Sequence, residues 1–206
     1  VALNFESKIK PKLTAYGEMS YRPNQPVLLN AGDVLAAAVS NTAATPLRAD
    51  MTALPLGGIL SSADRFKTLQ VQAGARGELP GMLGAAALSY VGEAGIKHVF
   101  DLPDLAVLRY GRSDVFGQGP VNGVCTPGSP DVSKQCSTEG YVTQNAWGYV
   151  LGASLRYPGV LAGLDLEPSI AFTHDVKGWS YDGGFSEGRQ SLTLGLSGTY
   201  LKKFPA

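Results

Sequence analysis

The segment "LDLEPSIAFTHDV", residues 164–176, alternates apolar and polar side chains with the two-residue period of a β-strand. Its large apolar residues have even numbers and its acids have odd numbers: Leu164, Leu166, Ile170, Phe172 and Val176 against Asp165, Glu167 and Asp175. A strand with this pattern puts only apolar side chains on one face and acids on the other. It therefore belongs to a sheet whose two faces meet different surroundings.

The same alternation recurs along most of the chain, and a helical period is rare. We predict strands at residues 1–9, 12–22, 66–78, 84–98, 145–157, 164–176 and 189–201. Where a strand carries several charges, they nearly always share one parity. The strands are longer than the usual five or six residues of soluble sheets, and they are long enough to cross a bilayer when tilted.

The predicted connections between strands alternate in length. Short ones fall at 10–11, 79–83 and 158–163, and long ones at 23–65, 99–144 and 177–188. Antiparallel barrels of the outer membrane have this pattern, with short periplasmic turns and long extracellular loops. A soluble sheet with one wet face also fits the alternation, and Greek-key crossings imitate part of the loop pattern. We predict an all-β fold, an antiparallel up-and-down transmembrane β-barrel, to which residues 1–206 contribute one segment.

The composition agrees with this fold class. The chain has 206 residues, of which 17% are charged, and its formal net charge is zero. Globular domains have about 25% charged residues, so this chain is short of solvating groups. No apolar run reaches the roughly 18 residues of a transmembrane helix, and no basic stripe indicates a nucleic-acid partner.

The two cysteines, Cys125 and Cys136, bracket the segment "CTPGSPDVSKQC", which has no hydrophobic pattern. Such a pair favours a disulfide that closes a loop in an oxidising compartment, and the alternative is two free thiols. The CxxC spacing is absent and no histidine is nearby, so we expect no zinc.

Two sets of side chains would have defined positions in a barrel. Aromatic rings at interfacial depth favour the headgroup level, and the candidates are Tyr21, Trp147, Tyr149, Tyr157 and Tyr200. In a soluble core these rings would only be large packing residues. The candidates for lining the lumen carry both signs of charge: Glu18, Arg22, Arg76, Glu93, Lys97, Arg156, Asp165, Glu167, Asp175 and Arg189. They would set the width and potential of a pore, or alternatively form a salt-bridged plug that only stabilises the barrel.

One segment of the first long loop has helical character. "DVLAAAVS", residues 33–40, begins with Asp33 as a candidate N-cap and continues with alanines. We expect a short helix folded over or into the barrel, and the alternative is an ordinary surface turn.

No enzyme motif is present in the sequence. His98 and His174 lack a Ser or Cys partner in a recognisable pattern, and the glycine-rich segments do not lead from a strand into a helix. We therefore expect no catalytic residues, no metal site and no cofactor.

Several segments, taken in order, resemble one protein family. They are "GEMSYRPNQPVLLNAGDVLAAAV" (17–39), "NAWGYVLGASLRY" (145–157), "LDLEPSIAFTHDVKGWS" (164–180) and "FSEGRQSLTLGLSGTYLKKFPA" (185–206). The chain is similar to the C-terminal portion of the domain of unknown function 1302 family of Gram-negative bacteria. The resemblance implies an outer-membrane β-barrel that takes up or exports hydrophobic compounds. It also implies an outer-membrane lipoprotein and an exporter of the resistance-nodulation-division type as partners.

The sequence thus predicts a passive outer-membrane channel or transporter for small hydrophobic solutes, surrounded by outer-membrane lipid. The alternative is a surface or secreted β-protein that binds a partner through its long loops and has no pore. The chain begins at Val1 without a signal peptide, and seven strands are an odd number, so we expect part of a longer barrel. Pro168 lies inside a predicted strand and cannot donate a hydrogen bond, so we expect a bulge or an unpaired carbonyl beside it.

Overall fold

The computed structural model describes residues 1–125, 132–134, 136–161 and 163–200. Its main element is one antiparallel sheet of seven strands in chain order, each paired with its neighbours in sequence. The strands are β1 (Ala2–Lys10), β2 (Leu13–Leu28), β3 (Ala63–Pro80), β4 (Ala87–Val99), β5 (Asn145–Leu161), β6 (Leu164–Lys177) and β7 (Gln190–Tyr200). The predicted all-β, up-and-down antiparallel arrangement is confirmed. Within the described residues the sheet is open, and β1 and β7 form its edges.

The long connections all leave the same end of the sheet. They cover residues 29–62, 100–144 and 178–189, whereas the connections at the other end cover only 11–12, 81–86 and 162–163. The largest departure from the predicted bounds is in β2, which continues to Leu28 instead of ending at 22. Prolines at 23 and 26 break the apolar alternation there, and the pairing with β3 shifts register between Arg22 and Gln25. The last predicted strand residue, 201, lies outside the described residues.

The strand register divides the side chains of the sheet into two faces, because directly paired residues point the same way. One row crosses the first five strands with large apolar side chains: Leu3, Met19, Val71, Ile96 and Trp147. The neighbouring row on the opposite face contains polar or small residues: Asn4, Glu18, Gln72, Gly95, Gly148 and Asp175. We call these sides the apolar face and the polar face. The alternation in the sequence thus corresponds to a sheet with two chemically different sides.

Several glycines of the sheet lie beneath an aromatic ring from the neighbouring strand. On the apolar face Phe5 covers Gly17, and a methyl group added to Gly17 would lie 2.6 Å from the Phe5 ring. On the polar face Tyr16 covers Gly74, where the corresponding distance is 2.8 Å. In each case the ring occupies the space that a side chain on its partner would need, and it shields that partner's backbone.

Pro168 interrupts the sheet on one side only. Its pairing with Leu196 of β7 is continuous with the rest of that ladder. On the β5 side, the pairs stop at Ser154–Ser169 and resume at Tyr157–Leu166, so that Leu155 and Arg156 are skipped without a change of register. This is the local loss of pairing that a residue without an N–H predicts. The register shift near the other end of β6 lies between Asp175 and Lys177.

The buried hydrophobic core lies at the loop end of the sheet and not on either face. We call the described residues of 29–62 and 100–144 the cap. Its core side chains pack together with the ends of β2 and β4: Val27, Leu29, Ala37, Leu47, Val99, Tyr110 and Val142. The cap contains helices α1 (Ala31–Val39) and α2 (Arg48–Ala53) and short 3-10 turns at Asp114–Phe116 and Val132–Lys134. None of the described helices is long and apolar enough to span a bilayer.

The predicted helix in the first loop is therefore present as α1, but Asp33 is not its N-cap. The cap residue is Asn30, whose side-chain oxygen accepts a hydrogen bond of 2.9 Å from the backbone N–H of Asp33. At the other end of α1, the Arg48 guanidinium donates to the carbonyls of Ala36 and Ala37. Both ends of the helix thus have hydrogen-bond partners.

The side chain of Asp33 points into the cap instead. It forms a bidentate pair with Arg109, whose Nε donates to Asp33 Oδ2 at 2.7 Å. Arg109 Nη1 also donates to the carbonyl of Pro120 at 2.6 Å, and its guanidinium lies over the Tyr141 ring. Burial raises the pKa of Tyr141, and burial together with a hydrogen bond to Asp64 raises that of Tyr110. The two long loops are joined by buried polar contacts as well as by apolar packing.

Candidate functional site

The charged residues predicted to line a lumen lie on one side of the sheet. The ladder register and strand alternation put the following on the polar face: Glu18, Arg22, Arg76, Glu93, Lys97, Arg156, Asp165, Glu167 and Asp175. Arg189 directly precedes β7 and binds Asp175, with Nε at 2.7 Å from Oδ2. Their role in lining a pore stays a prediction.

Three of the cations on the polar face, Arg76, Lys97 and Arg189, bind an acid from another strand or loop. Arg76 of β3 contacts Glu6 of β1 at 2.9 Å, and both side chains are more than half exposed. Exposed pairs of this kind contribute at most about 1 kcal/mol each. At the turn end Glu167 accepts a hydrogen bond from Ser154, and Asp165 accepts one from the backbone of Gly159. The polar face is thus a network of local pairs.

The third long connection folds onto the polar face. We call residues 178–189 the strap; a bridge between Trp179 and Ser186 closes it into a hairpin. Its Phe185 ring lies over glycines of β4 and β5: a methyl group on Gly95 or Gly148 would lie 3.5 or 3.1 Å from that ring. These small residues make room for an aromatic ring that comes from a loop.

An ion pair fixes the tip of the strap to the sheet. Lys97 Nζ, on β4, lies 2.5 Å from Asp182 Oδ2, and the Lys97 side chain is only 12% exposed. Burial alone raises the pKa of Asp182, but hydrogen bonds from Lys97, Ser180 and the Gly184 backbone outweigh it and hold that pKa below its usual range. The strap therefore docks through a charge-assisted hydrogen bond beside an apolar ring contact.

A cleft of about 470 Å³ lies between the strap and the polar face. Its volume is in the range of small-molecule sites, about 300–1,000 Å³. Its polar lining includes Gln70, Gln72, Glu93, Thr173, Asp175, Arg189 and Ser191, and its apolar lining includes Val150 and Phe185. This cleft brings together Glu93, Asp175 and Arg189 from the predicted lumen residues. The other predicted lumen residues lie elsewhere on the polar face.

The aromatic residues predicted for a membrane interface fall at two levels of the sheet. Tyr21, Trp147 and Tyr149 lie in the halves of their strands nearer the cap, and Tyr157 and Tyr200 lie towards the turn end. All are on the apolar face. Edge-to-face contacts join Tyr21 to Phe100 and Tyr149 to His174. Tyr157 donates its hydroxyl hydrogen to the carbonyl of Leu83 at 3.1 Å. Their contact with a bilayer interface stays a prediction.

The predicted disulfide is present in the cap. It joins Cys125 and Cys136, whose Cα atoms are 5.3 Å apart. Residues 126–131 and 135 of the bracketed segment lie outside the described residues. Next to the bond, Arg112 donates a hydrogen bond to the carbonyl of Ser137. The disulfide thus belongs to the cap and not to the cleft on the polar face.

The sequence pattern missed two residues of the strap: Phe185, which lines this cleft, and Asp182, which binds Lys97. Phe185 and Asp182 lie in a loop without period, and nothing local assigns them to the polar face. The strands did carry a signal, because Gly95 and Gly148 leave two polar-face positions without a side chain. Glycine inside a strand often marks a site where another group approaches closely.

The family model described as "Protein of unknown function (DUF1302)" matches residues 1–206. No curated protein and no solved structure is significantly similar to the chain. The family match covers the whole sheet, the cap and the strap. The chain therefore belongs to the DUF1302 family.

Proposed function

We propose that this chain forms part of an outer-membrane β-barrel through which small hydrophobic solutes cross passively. The observation that carries the proposal is the division of the sheet into two faces. Large side chains on the apolar face are exposed: the exposed fractions of Leu192, Leu194 and Leu196 of β7 are 61%, 72% and 72%. The opposite face of the same strands carries polar and small residues.

Exposed apolar surface of this extent needs a partner. With a lipid bilayer as the partner, the apolar face is removed from water and the charged face surrounds a water-filled lumen. Two levels of aromatic residues on the apolar face are what interfacial girdles require. These properties support a barrel wall in the outer membrane of a Gram-negative bacterium.

The cap and the strap supply the control that a selective channel needs. Both lie at one end of the sheet, and the strap covers part of the polar face. A solute on a path along the polar face would pass the cleft of about 470 Å³. By the family resemblance we include an outer-membrane lipoprotein and a resistance-nodulation-division exporter as proposed partners.

Two experiments test the membrane proposal. A barrel should require detergent for extraction, and it should migrate differently on gels before and after boiling. The purified full-length protein should then produce discrete conductance steps in planar lipid bilayers. A protein that stays in solution without detergent and migrates identically in both gel samples would contradict the barrel.

A second candidate function is partner binding through the cap, without a pore. The observation in its favour is the exposure of large apolar residues on the cap: Leu35, Val39, Leu56 and Ile59 are at least 62% exposed. A protein that inserts into bilayers but conducts no ions would favour this adhesive or structural role over transport.

A further inference from the structure

We infer that the cleft beneath the strap is a binding site for a small organic cation, with Glu93 binding the charge and Phe185 contacting the body. The inference rests on the proposed function, because it places the site on a solute path along the polar face. Among the small hydrophobic solutes of that proposal, the lining of this cleft selects those that also carry an ammonium group.

The lining of the cleft carries an excess of negative charge. Glu93 and Asp175 are the carboxylates that line the cleft, and Arg189 supplies its guanidinium. Asp175 and Arg189 bind each other at 2.7 Å, so this pair neutralises itself. The lining therefore has one negative charge in excess, at Glu93. An anion in the cleft would meet this charge, whereas a cation would compensate it.

The nearby cations are not available to Glu93. Lys97 lies four residues further along β4, on the same face, and is held by Asp182, and Arg76 of β3 binds Glu6. Among the described residues, no ion pair reaches Glu93. Its polar neighbour is Tyr16, whose hydroxyl interacts with the carboxylate from the adjacent position across Gly74. Glu93 is also half-buried, which increases the benefit of a bound counter-charge.

The rest of the lining fits the body of such a solute. Phe185 and Val150 provide apolar contact, and Lys97 Nζ already lies 5.6 Å from the centre of the Phe185 ring. Gln70, Gln72, Thr173 and Ser191 offer neutral hydrogen-bond partners around them. The combination of one carboxylate without an ion-pair partner, apolar side chains and neutral polar groups matches an ammonium group attached to a small apolar body.

The test compares three probes of similar size and different charge. Benzylammonium, benzyl alcohol and benzoate are titrated calorimetrically into the full-length protein in detergent micelles. We expect benzylammonium to bind about tenfold or more tightly than benzyl alcohol, as one charge-assisted hydrogen bond predicts, and benzoate to bind most weakly. Equal binding of the three probes, or tighter binding of benzoate, would overturn the inference.

Two variants test whether Glu93 and Phe185 form the site, and a third is the control. Glu93→Gln should remove the preference for benzylammonium over benzyl alcohol, because the amide keeps the shape and loses the charge. Glu167→Gln is the matched control: it makes the same change on the same face at the turn end, outside the cleft, and should keep the preference. Phe185→Ala should weaken the binding of benzylammonium more than the binding of methylammonium, because methylammonium has no ring. A preference that survives Glu93→Gln places the site elsewhere and overturns the assignment.

Conductance measured in parallel separates this inference from the proposed function. If the barrel conducts ions but binds the three probes equally, the proposed channel stands and the cation site is overturned. If the barrel conducts no ions but Glu93 still confers the preference for benzylammonium, the cation site stands and passive transport is overturned.

Discussion

Asp33 and Arg109 form a bidentate ion pair although 76 positions separate them in the sequence, and their side chains are only 2% and 3% exposed. One belongs to α1 in the first long connection and the other to the second long connection. The pair therefore joins the two halves of the cap at its centre.

Breaking this pair should unfold the cap. Asp33→Ala or Arg109→Ala leaves a buried charge without its partner, which costs about 3–5 kcal/mol. The double variant should lose less stability than the two single variants lose in sum, because it leaves no buried charge without a partner. Hydrogen exchange of cap amides measures this loss. Asp50→Ala, which removes an exposed acid of α2, is the control and should have little effect. Unchanged exchange in both single variants would show that the pair does not stabilise the cap.

The surroundings of the apolar face are tested by adjacent substitutions on β7. Leu194 pairs with Ile170 on the apolar face, and Thr193 pairs with Ala171 on the polar face. In a bilayer, Leu194→Arg should cost about 2–4 kcal/mol near the midplane, and Thr193→Arg should cost much less. In water an exposed leucine tolerates this change within about 0.5 kcal/mol. Unfolding by denaturant in lipid vesicles measures both. Equal stability of the two variants would contradict a lipid-facing apolar face.

The docking of the strap should depend on pH through Asp182. Its pKa is lower in the folded protein than in the unfolded chain, so its contribution is complete above the ordinary value of about 3.9. The contribution is lost as the pH falls through the depressed folded value. Trp179 of the strap packs edge-to-face on Phe116 of the cap, and its fluorescence in a Trp147→Phe background should change over this acidic range. Asp182→Asn should abolish the step, and a step that persists in this variant would assign the transition to another group.

Reduction of the disulfide should destabilise the cap and leave the sheet intact. The bond between Cys125 and Cys136 closes a loop with a sequence separation of 11. For a loop of this length the chain-entropy model gives about 3 kcal/mol. We expect faster proteolysis within the cap after reduction, with the β-sheet circular dichroism unchanged. A Cys125→Ser/Cys136→Ser variant should behave like the reduced protein and should not respond to reductant. Loss of the sheet signal on reduction would contradict this division.

The sheet was predictable from the sequence because its faces differ in chemistry. Segments such as 164–176 alternate with period two, and the parity of their charges fixes the face of each residue before any pairing is known. The alternating lengths of the connections then order the strands. The end of β2 was missed where Pro23 and Pro26 interrupt the pattern, although the backbone continues to pair with β3 as far as Leu28.

The cap and the strap were not predictable in the same way. Their contacts join distant residues that share no period, as Asp33 and Arg109 do. Asn and Asp are both good cap residues, so the sequence alone does not favour Asn30 over Asp33 as the helix cap. Similarly, Phe185 reaches Gly95 and Gly148 only because the strap turns back at Asp182. Such contacts depend on the tertiary fold.

The close contacts at the glycines beneath aromatic rings restrict which residues related proteins can have at these positions. A side chain added at Gly17 or Gly74 has no space while Phe5 or Tyr16 remains, and loss of the ring alone uncovers bare backbone. Backbone carbonyls crowd the same positions, since the carbon added at Gly17 would also lie 2.9 Å from Gln72 O and that at Gly74 2.6 Å from Gly92 O. Among related sequences, Gly17 and Gly74 should therefore stay glycine even where the covering aromatic residue changes.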